Sequence, residues 1–452
     1  MSSGLKTTVP AGLVDAAASS LATFVAGLFA ARVLDPASLG VYALFFSGFM
    51  LAFAVPDHVV FQPAEVATLR HEPRRRLLAL PRVASVGMAL SLASATVGVL
   101  ICVAVAPDVD PDIVVPLAVT SWCAAVVWPL QDHVRQMLHM ADRSVVAAAM
   151  SMVNAVVVTG ALGASLLLPV DVAWVPFSAI ALGNVASLAV GLWAWWSVAR
   201  GDAEPVHLSM RSVLRAGRYY LASGTAPIGA TFVVSIIVTR LAGSAALGYA
   251  EAARVVAQPV AVIGVGLTAT IGPRLLEAGA ARDRDRARHL TSVFLLIVTG
   301  SGLLAIALVG WAWPLNPMLW LLPQAYVVPW LVTVTIVANV LAKAPNPYRV
   351  LLLGANREPA VARVDAVTAL AQCVVAATAA VTGAMARPLA LAGQSALQSV
   401  WLRATAVELF RSGASQPTTS SDAHTDDDGS RASTRTTDDE THASRIIPRT
   451  DR

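Results

Sequence analysis

The chain has 452 residues, of which 56% are hydrophobic and only 13% charged, and its formal net charge is +4. Soluble domains carry about 25% charged residues, so the composition excludes an ordinary globular protein and points to the bilayer. The small positive balance follows from arginines clustered between apolar stretches and gives no reason to expect a nucleic-acid partner.

A helix needs roughly 20 apolar residues to cross the hydrocarbon core. Twelve stretches qualify: 12–34, 39–61, 83–106, 113–134, 145–168, 174–198, 218–241, 246–272, 290–313, 322–342, 361–385 and 388–410. The first contains Arg32 and has a repeat partner in mid-chain, so it is read as a span and not as a signal peptide. Between the ninth and tenth, residues 311–330 are apolar but interrupted by Pro314, Pro317, Pro323 and Pro329. The last segment, 412–452, has no aromatic residue and carries the acidic runs Asp426-Asp427-Asp428 and Asp438-Asp439-Glu440. It is expected to be a disordered cytoplasmic tail, either solubilising or regulatory.

The chain repeats itself. Thr23-Phe24-Val25, Arg32, Ala37, Leu39 and Gly40 recur 208 positions later as Thr231-Phe232-Val233, Arg240, Ala245, Leu247 and Gly248. Arg135, Leu138, Ala141 and Arg143 recur at an offset of 214 as Arg349, Leu352, Ala355 and Arg357. Duplication in order predicts two copies of one membrane unit, a device of transporters. The inner stretches 62–82, 135–144, 199–218, 274–289 and 343–363 hold 20 Lys and Arg, whereas the outer loops hold one, Arg387. Positive charge stays on the cytoplasmic side, so both termini are placed inside. With six spans each, the halves point the same way. The expected organisation is an N-terminal six-helix bundle over 1–199, a cytoplasmic linker over 200–217, a C-terminal bundle over 218–411 and the tail. No outer loop is long enough to form a catalytic or ligand-capturing domain.

Charges at membrane depth are the informative residues, since each costs several kcal/mol unless paired or hydrated. Arg254 sits deep in the eighth span with Glu251 three residues earlier on the same face. The pair stands open between a self-neutralising structural bridge and a polar patch lining a central cavity. Arg32 and Arg240, being repeat-related, are either surface anchors or a pseudo-symmetric pair of cations flanking an opening between the halves. Asp15, Asp57 with His58, Asp132 with His133, Asp365 and Glu408 lie near the cytoplasmic face, where structural pairing to arginine competes with an ion-coupling role. Cys102, Cys123 and Cys373 are widely spaced within spans and suggest no metal or redox site. No phosphate-cradling loop for ATP occurs, and no Ser/His/Asp grouping falls on one side.

The run Ala31-Arg32-Val33-Leu34-Asp35-Pro36-Ala37-Ser38-Leu39-Gly40-Val41-Tyr42-Ala43-Leu44 resembles the first-loop signature of polysaccharide-transporter flippases. These include the Wzx-type O-antigen flippases of the multidrug/oligosaccharidyl-lipid/polysaccharide (MOP) superfamily. Arg240 and Leu247-Gly248-Tyr249-Ala250 look like the same element in the second half. The resemblance implies an all-α polytopic fold of about twelve transmembrane helices in two pseudo-symmetric parallel six-helix bundles around a cavity that opens to alternate sides. It implies a non-enzyme in the cytoplasmic (inner) membrane that flips an oligosaccharide linked to a polyprenyl diphosphate. The expected partners are the glycan substrate, the bilayer and polysaccharide-assembly proteins. No cofactor is expected, and coupling to H+ or Na+ fits such a carrier. Arg32, Arg240 and Arg254 are then the candidates for holding the diphosphate, since guanidinium binds phosphate oxygens through charge-assisted forks. Glu251 and Asp57 are the candidates for ion coupling or charge balance. Two alternatives stay open: a cation-coupled drug or small-solute antiporter of the same superfamily, favoured by deep acidic residues in the first bundle, and a membrane glycosyltransferase or polymerase, which needs a long outer loop that is missing.

Overall fold

The computed structural model describes residues 5–106, 110–200, 206, 208–311 and 313–414, and the tail beyond Ala414 lies outside them. Among the described residues every regular element is helical. Twelve helices are numbered in chain order: α1 (Leu5–Val33), α2 (Pro36–Thr68), α3 (Pro73–Val105), α4 (Pro111–Met140), α5 (Ser144–Ser165) and α6 (Val175–Ala199) in the first half. The second half supplies α7 (Met210–Tyr220, continuing through Ala226–Ala242), α8 (Ser244–Ala280), α9 (Arg284–Val309), α10 (Pro329–Lys343, continued by Asn346–Gly354), α11 (Glu358–Ala376) and α12 (Ala386–Ala414). Nine described helices are long and apolar enough to cross a membrane by length and composition. The end carrying the α1–α2 and α7–α8 turns is called outer below, following the charge count.

Three elements depart from the sequence reading. The tenth span begins at Pro329, not at 322, because Pro323 and Pro329 break the apolar run and Pro329 serves as a first helical residue. The eleventh ends at Ala376, and a turn through Gly383, whose φ of +56° suits a residue without Cβ, leads into α12. Residues 210–217, expected as linker, are helical: Val213 and Gly217 pack inward while Arg211, Arg215 and Arg218 form the exposed stripe. There α7 lies beside π-helical Asp57–Phe61 of α2, and its own π-helical turn Leu221–Thr225 meets the same place. The chain is so close that a Cβ on Gly217 would lie 2.1 Å from the Val59 carbonyl oxygen.

The two halves meet about a local two-fold relation that the repeat makes visible. Helices α2 and α8 cross at Gly40 and Gly248. A Cβ on Gly40 would lie 1.8 Å from the Ser244 carbonyl oxygen, and one on Gly248 would lie 2.0 Å from that of Pro36. Positions 36 and 244 are themselves 208 apart, so each contact is the image of the other. Further in, Ser47 and Ser235 share a 2.9 Å hydrogen bond between hydroxyls. The image positions Val255 and Gly27 also touch, at 3.0 Å from an ideal Cβ on the glycine. On the axis, Arg254 lies over the ring of Phe46, its own repeat mate, with 5.0 Å to the centroid.

The second repeat is a pair of helix stops. Asp142 and Asn356, 214 apart, both take left-handed backbone, with φ of 59° and 56°. In each, the following arginine N–H reaches back to a leucine carbonyl, Arg143 to Leu138 and Arg357 to Leu352, both at 2.9 Å. This is a Schellman closure, and Asn and Asp tolerate its αL position better than other residues with a Cβ.

Candidate functional site

Inward of the α2/α8 crossing lies a cavity of ≈ 300 Å³. Five first-half helices line it, α1, α2, α4, α5 and α6, whereas α8 alone contributes from the second half. Beside aliphatic Ala22, Ile180, Ala261, Val262 and Val265 and the thioether of Met50, its wall carries hydroxyls, amides and aromatic rings. Gln131 donates to Ser187 at 2.9 Å, and Asn154 donates to Asn184 at 2.7 Å. Trp128 stacks between Phe49 and Phe53, with centroids 4.7 and 4.2 Å away. Among the lining residues one is charged, Arg254. It stands ten residues along α8 from Ser244, about 15 Å at the helical rise.

Arg254 does not stand alone. Its Nε donates to Glu251 Oε2 at 2.9 Å and its Nη2 to Glu251 Oε1 at 2.6 Å. Glu251 is 0% exposed and accepts a third bond on Oε2 from Arg387 Nη1, at 2.7 Å. The bridge therefore carries two cations and one anion, a formal +1 facing the cavity. Arg387 was expected as an outer-loop charge. The structure corrects this: it belongs to the first turn of α12 and is 11% exposed, because the Glu251 carboxylate 136 residues away pulls it inward. Nothing local in the sequence signals that pairing.

The other predicted site residues lie elsewhere. Arg32 reaches from α1 to the carbonyls of Trp320 and Leu321, which precede α10, with Nε donating to Leu321 at 3.0 Å. Arg240 reaches from α7 to the Ala104 carbonyl near the end of α3, at 2.7 Å. Neither lines the cavity. Each spans from its own half to the outer end of the opposite one, as the duplication dictates, and Tyr326 adds a 2.7 Å bond to the Leu34 carbonyl. Asp57 sits in the π-helical turn of α2, accepts from Gln62 at 2.8 Å, and is in electrostatic range of Asp132 and Glu65. That cluster also holds the buried His133, bonded to Glu65 at 2.8 Å. The structure thus brings Arg254 and Glu251 together at the cavity and sends Arg32, Arg240 and Asp57 to the two ends.

The repeat-related Arg135 and Arg349 are neutralised by different helices. Arg135 bridges Asp15 of α1 and Asp132, and Asp15 also takes Ser151 and His139. Arg349 pairs with Asp365 of α11 at 2.7 Å. Position 365 is the image of Ser151, so a carboxylate has changed place between the copies, and the first copy sets two carboxylates against its arginine where the second sets one.

No family model matches the chain, and no curated protein sequence matches it significantly. Solved structures share its fold. A multidrug-resistance MATE-family transporter of the MOP superfamily in an inward-facing conformation superposes with a TM-score of 0.70 at 14% identity, covering 87% of this chain and 96% of that one. An outward-facing conformation of a MATE-family transporter of that superfamily gives 0.58 at 14% identity, over 89% and 97% of the two chains. The lipid II flippase MurJ, inward closed, gives 0.61 at 10% identity over 89% of each. The chain has the fold of MOP-superfamily membrane transporters.

Proposed function

We propose that this protein flips an oligosaccharide carried on a polyprenyl diphosphate across the cytoplasmic membrane, both termini lying on the cytoplasmic side, for cell-surface polysaccharide biosynthesis. The observation that carries the reading is charge: the cavity's one charged lining residue is the cation Arg254. A cationic drug needs a carboxylate facing it, yet Glu251 is capped by two arginines and Asp15 is covered by Ser151, Arg135 and His139. An anion meets Arg254 directly, and a guanidinium offers phosphate a bidentate fork. The rest of the wall suits sugar. Amides supply paired donors and acceptors for hydroxyls, and the hydroxyls of Ser19, Ser20 and Thr23 on the same wall add to them. The outer contacts between halves close one side. Their release, with closure on the inner side, provides alternating access. Where transport is coupled to H+, Asp57, which lies near Asp132 and Glu65, is the candidate to carry the proton.

The test is appearance of lipid-linked glycan on the outer leaflet of vesicles containing the purified protein. Arg254→Ala abolishes flipping while leaving inserted, folded protein, and Arg254→Lys recovers little because an ammonium lacks the planar fork. Near-normal flipping by well-folded Arg254→Ala protein overturns the assignment.

A further inference from the structure

Three donors serve the Glu251 carboxylate in the empty protein, and two of them belong to Arg254. Oε1 has Arg254 Nη2 as its donor, whereas Oε2 also has Arg387. Any anion that draws the guanidinium fork into the cavity strips Oε1 while leaving Oε2 served. A bare carboxylate oxygen at a position with 0% exposure is costly, because no water reaches it. Some donor must follow.

The structure holds one in reserve. Tyr42 is also 0% exposed, and its hydroxyl has no hydrogen-bond partner among the described residues. It lies two residues inward of the Gly40 crossing on α2, as Glu251 lies three residues inward of Gly248 on α8. Its ring stacks on Phe46, centroids 6.0 Å apart, and Phe46 in turn underlies Arg254. The phenol is in electrostatic range of both Glu251 and Arg254. Buried hydroxyls are almost always bonded, so an orphan beside an ion pair needs a reason.

We propose that Tyr42 is a positioning residue for substrate exchange: its O–H takes over Glu251 Oε1 when an anion draws Arg254 away. The inference rests on the anion-binding reading of Arg254 and deepens it. Both Arg254 bonds are lost; the Tyr42 hydroxyl replaces the one to Oε1 and Arg387 keeps Oε2 served, so the carboxylate stays ionised and in place. Glu251 then remains available to recover Arg254 when the cargo leaves, and Arg387 fixes its other oxygen throughout. Pairing that hydroxyl on binding gives the anion a differential grip on the loaded arrangement.

The experiment uses the full-length protein in detergent with farnesyl diphosphate as probe and farnesol as the uncharged control. Tyr42→Phe deletes only the hydroxyl. Its melting temperature without ligand is unchanged or higher, because the orphan group is gone, while its affinity for farnesyl diphosphate falls about tenfold. Farnesol binding does not move. A double-mutant cycle with Glu251→Gln shows coupling in the affinity for the diphosphate and none in the ligand-free melting temperature. Unchanged diphosphate affinity in Tyr42→Phe sinks the inference, as does a lowered ligand-free melting temperature, which would make the hydroxyl structural. Arg254→Ala separates the two levels. If it abolishes diphosphate binding while Tyr42→Phe leaves the affinity unchanged, the site stands and the Tyr42 role falls; if it binds normally, both fall.

Discussion

Replacing Gly248 by alanine tests whether the α2/α8 crossing closes the outer side. The new Cβ would sit 2.0 Å from the Pro36 carbonyl oxygen and 3.0 Å from Gly40 N, both backbone atoms that cannot rotate aside. Relief requires the helices to part by about 1.5 Å, since unstrained carbon contacts lie near 3.5 Å. Overpacking of this kind costs about 1–3 kcal/mol. The strain is specific to the outer-closed arrangement, because nothing holds the two glycines together once the halves swing apart. Two transporter states differ by a few kcal/mol, so about 2.7 kcal/mol shifts their ratio about 100-fold toward outward-open. The assay is labelling of a cavity cysteine, Thr23→Cys in a chain whose Cys102, Cys123 and Cys373 are replaced, by an impermeant thiol reagent from outside. Gly248→Ala raises external labelling strongly, and Gly40→Ala does the same through its mirrored clash with Ser244. Gly160→Ala is the control, having no atom within 4 Å of its added Cβ. Unchanged labelling in folded Gly248→Ala protein would refute the reasoning.

Two further outcomes are expected. Arg32→Ala and Arg240→Ala each remove outer bonds to backbone carbonyls of the other half, made at exposed positions, and each raises external labelling about fivefold, as a loss of about 1 kcal/mol requires. The double variant approaches the product of the two, and an effect from only one of the pair contradicts a pseudo-symmetric closure. Asp15→Asn leaves Arg135, His139 and Ser151 without their shared carboxylate and lowers stability by about 3 kcal/mol, against about 1 kcal/mol for Ser151→Ala. Thermal unfolding in detergent reads the difference, and equal small losses show that the cluster does not hold α1 to α4.

Much of this fold is legible in the sequence because membrane helices must satisfy their own backbone and announce themselves by length. The repeat was legible for a stricter reason. Gly40 and Gly248 touch the opposite copy at the axis, and Arg32 and Arg240 each grasp the opposite half. A change in one copy is felt by its image, and this is where identity between the copies is readable. Arg254 and Glu251 could be paired from their spacing, since i and i+3 share a helical face. Arg387 could not, because its partner is remote in the chain. Tyr42 was visible within the flippase-like run, but that its hydroxyl lacks a partner is a fact of tertiary packing. The helical start of α7 at Met210 had a signal in Arg211, Arg215 and Arg218 at i, i+4 and i+7, which the density of charge concealed.

The local two-fold relation has a consequence for the symmetry of the site. The closure has two equivalent faces, but the seat has one, because the image of Arg254 is Phe46 and the image of Glu251 is Ala43. On the axis the Arg254 guanidinium covers the Phe46 ring, so the repeat mate supports the cation and does not duplicate it. Two equivalent closing contacts therefore flank a cavity whose single charged lining residue comes from one half only, on α8.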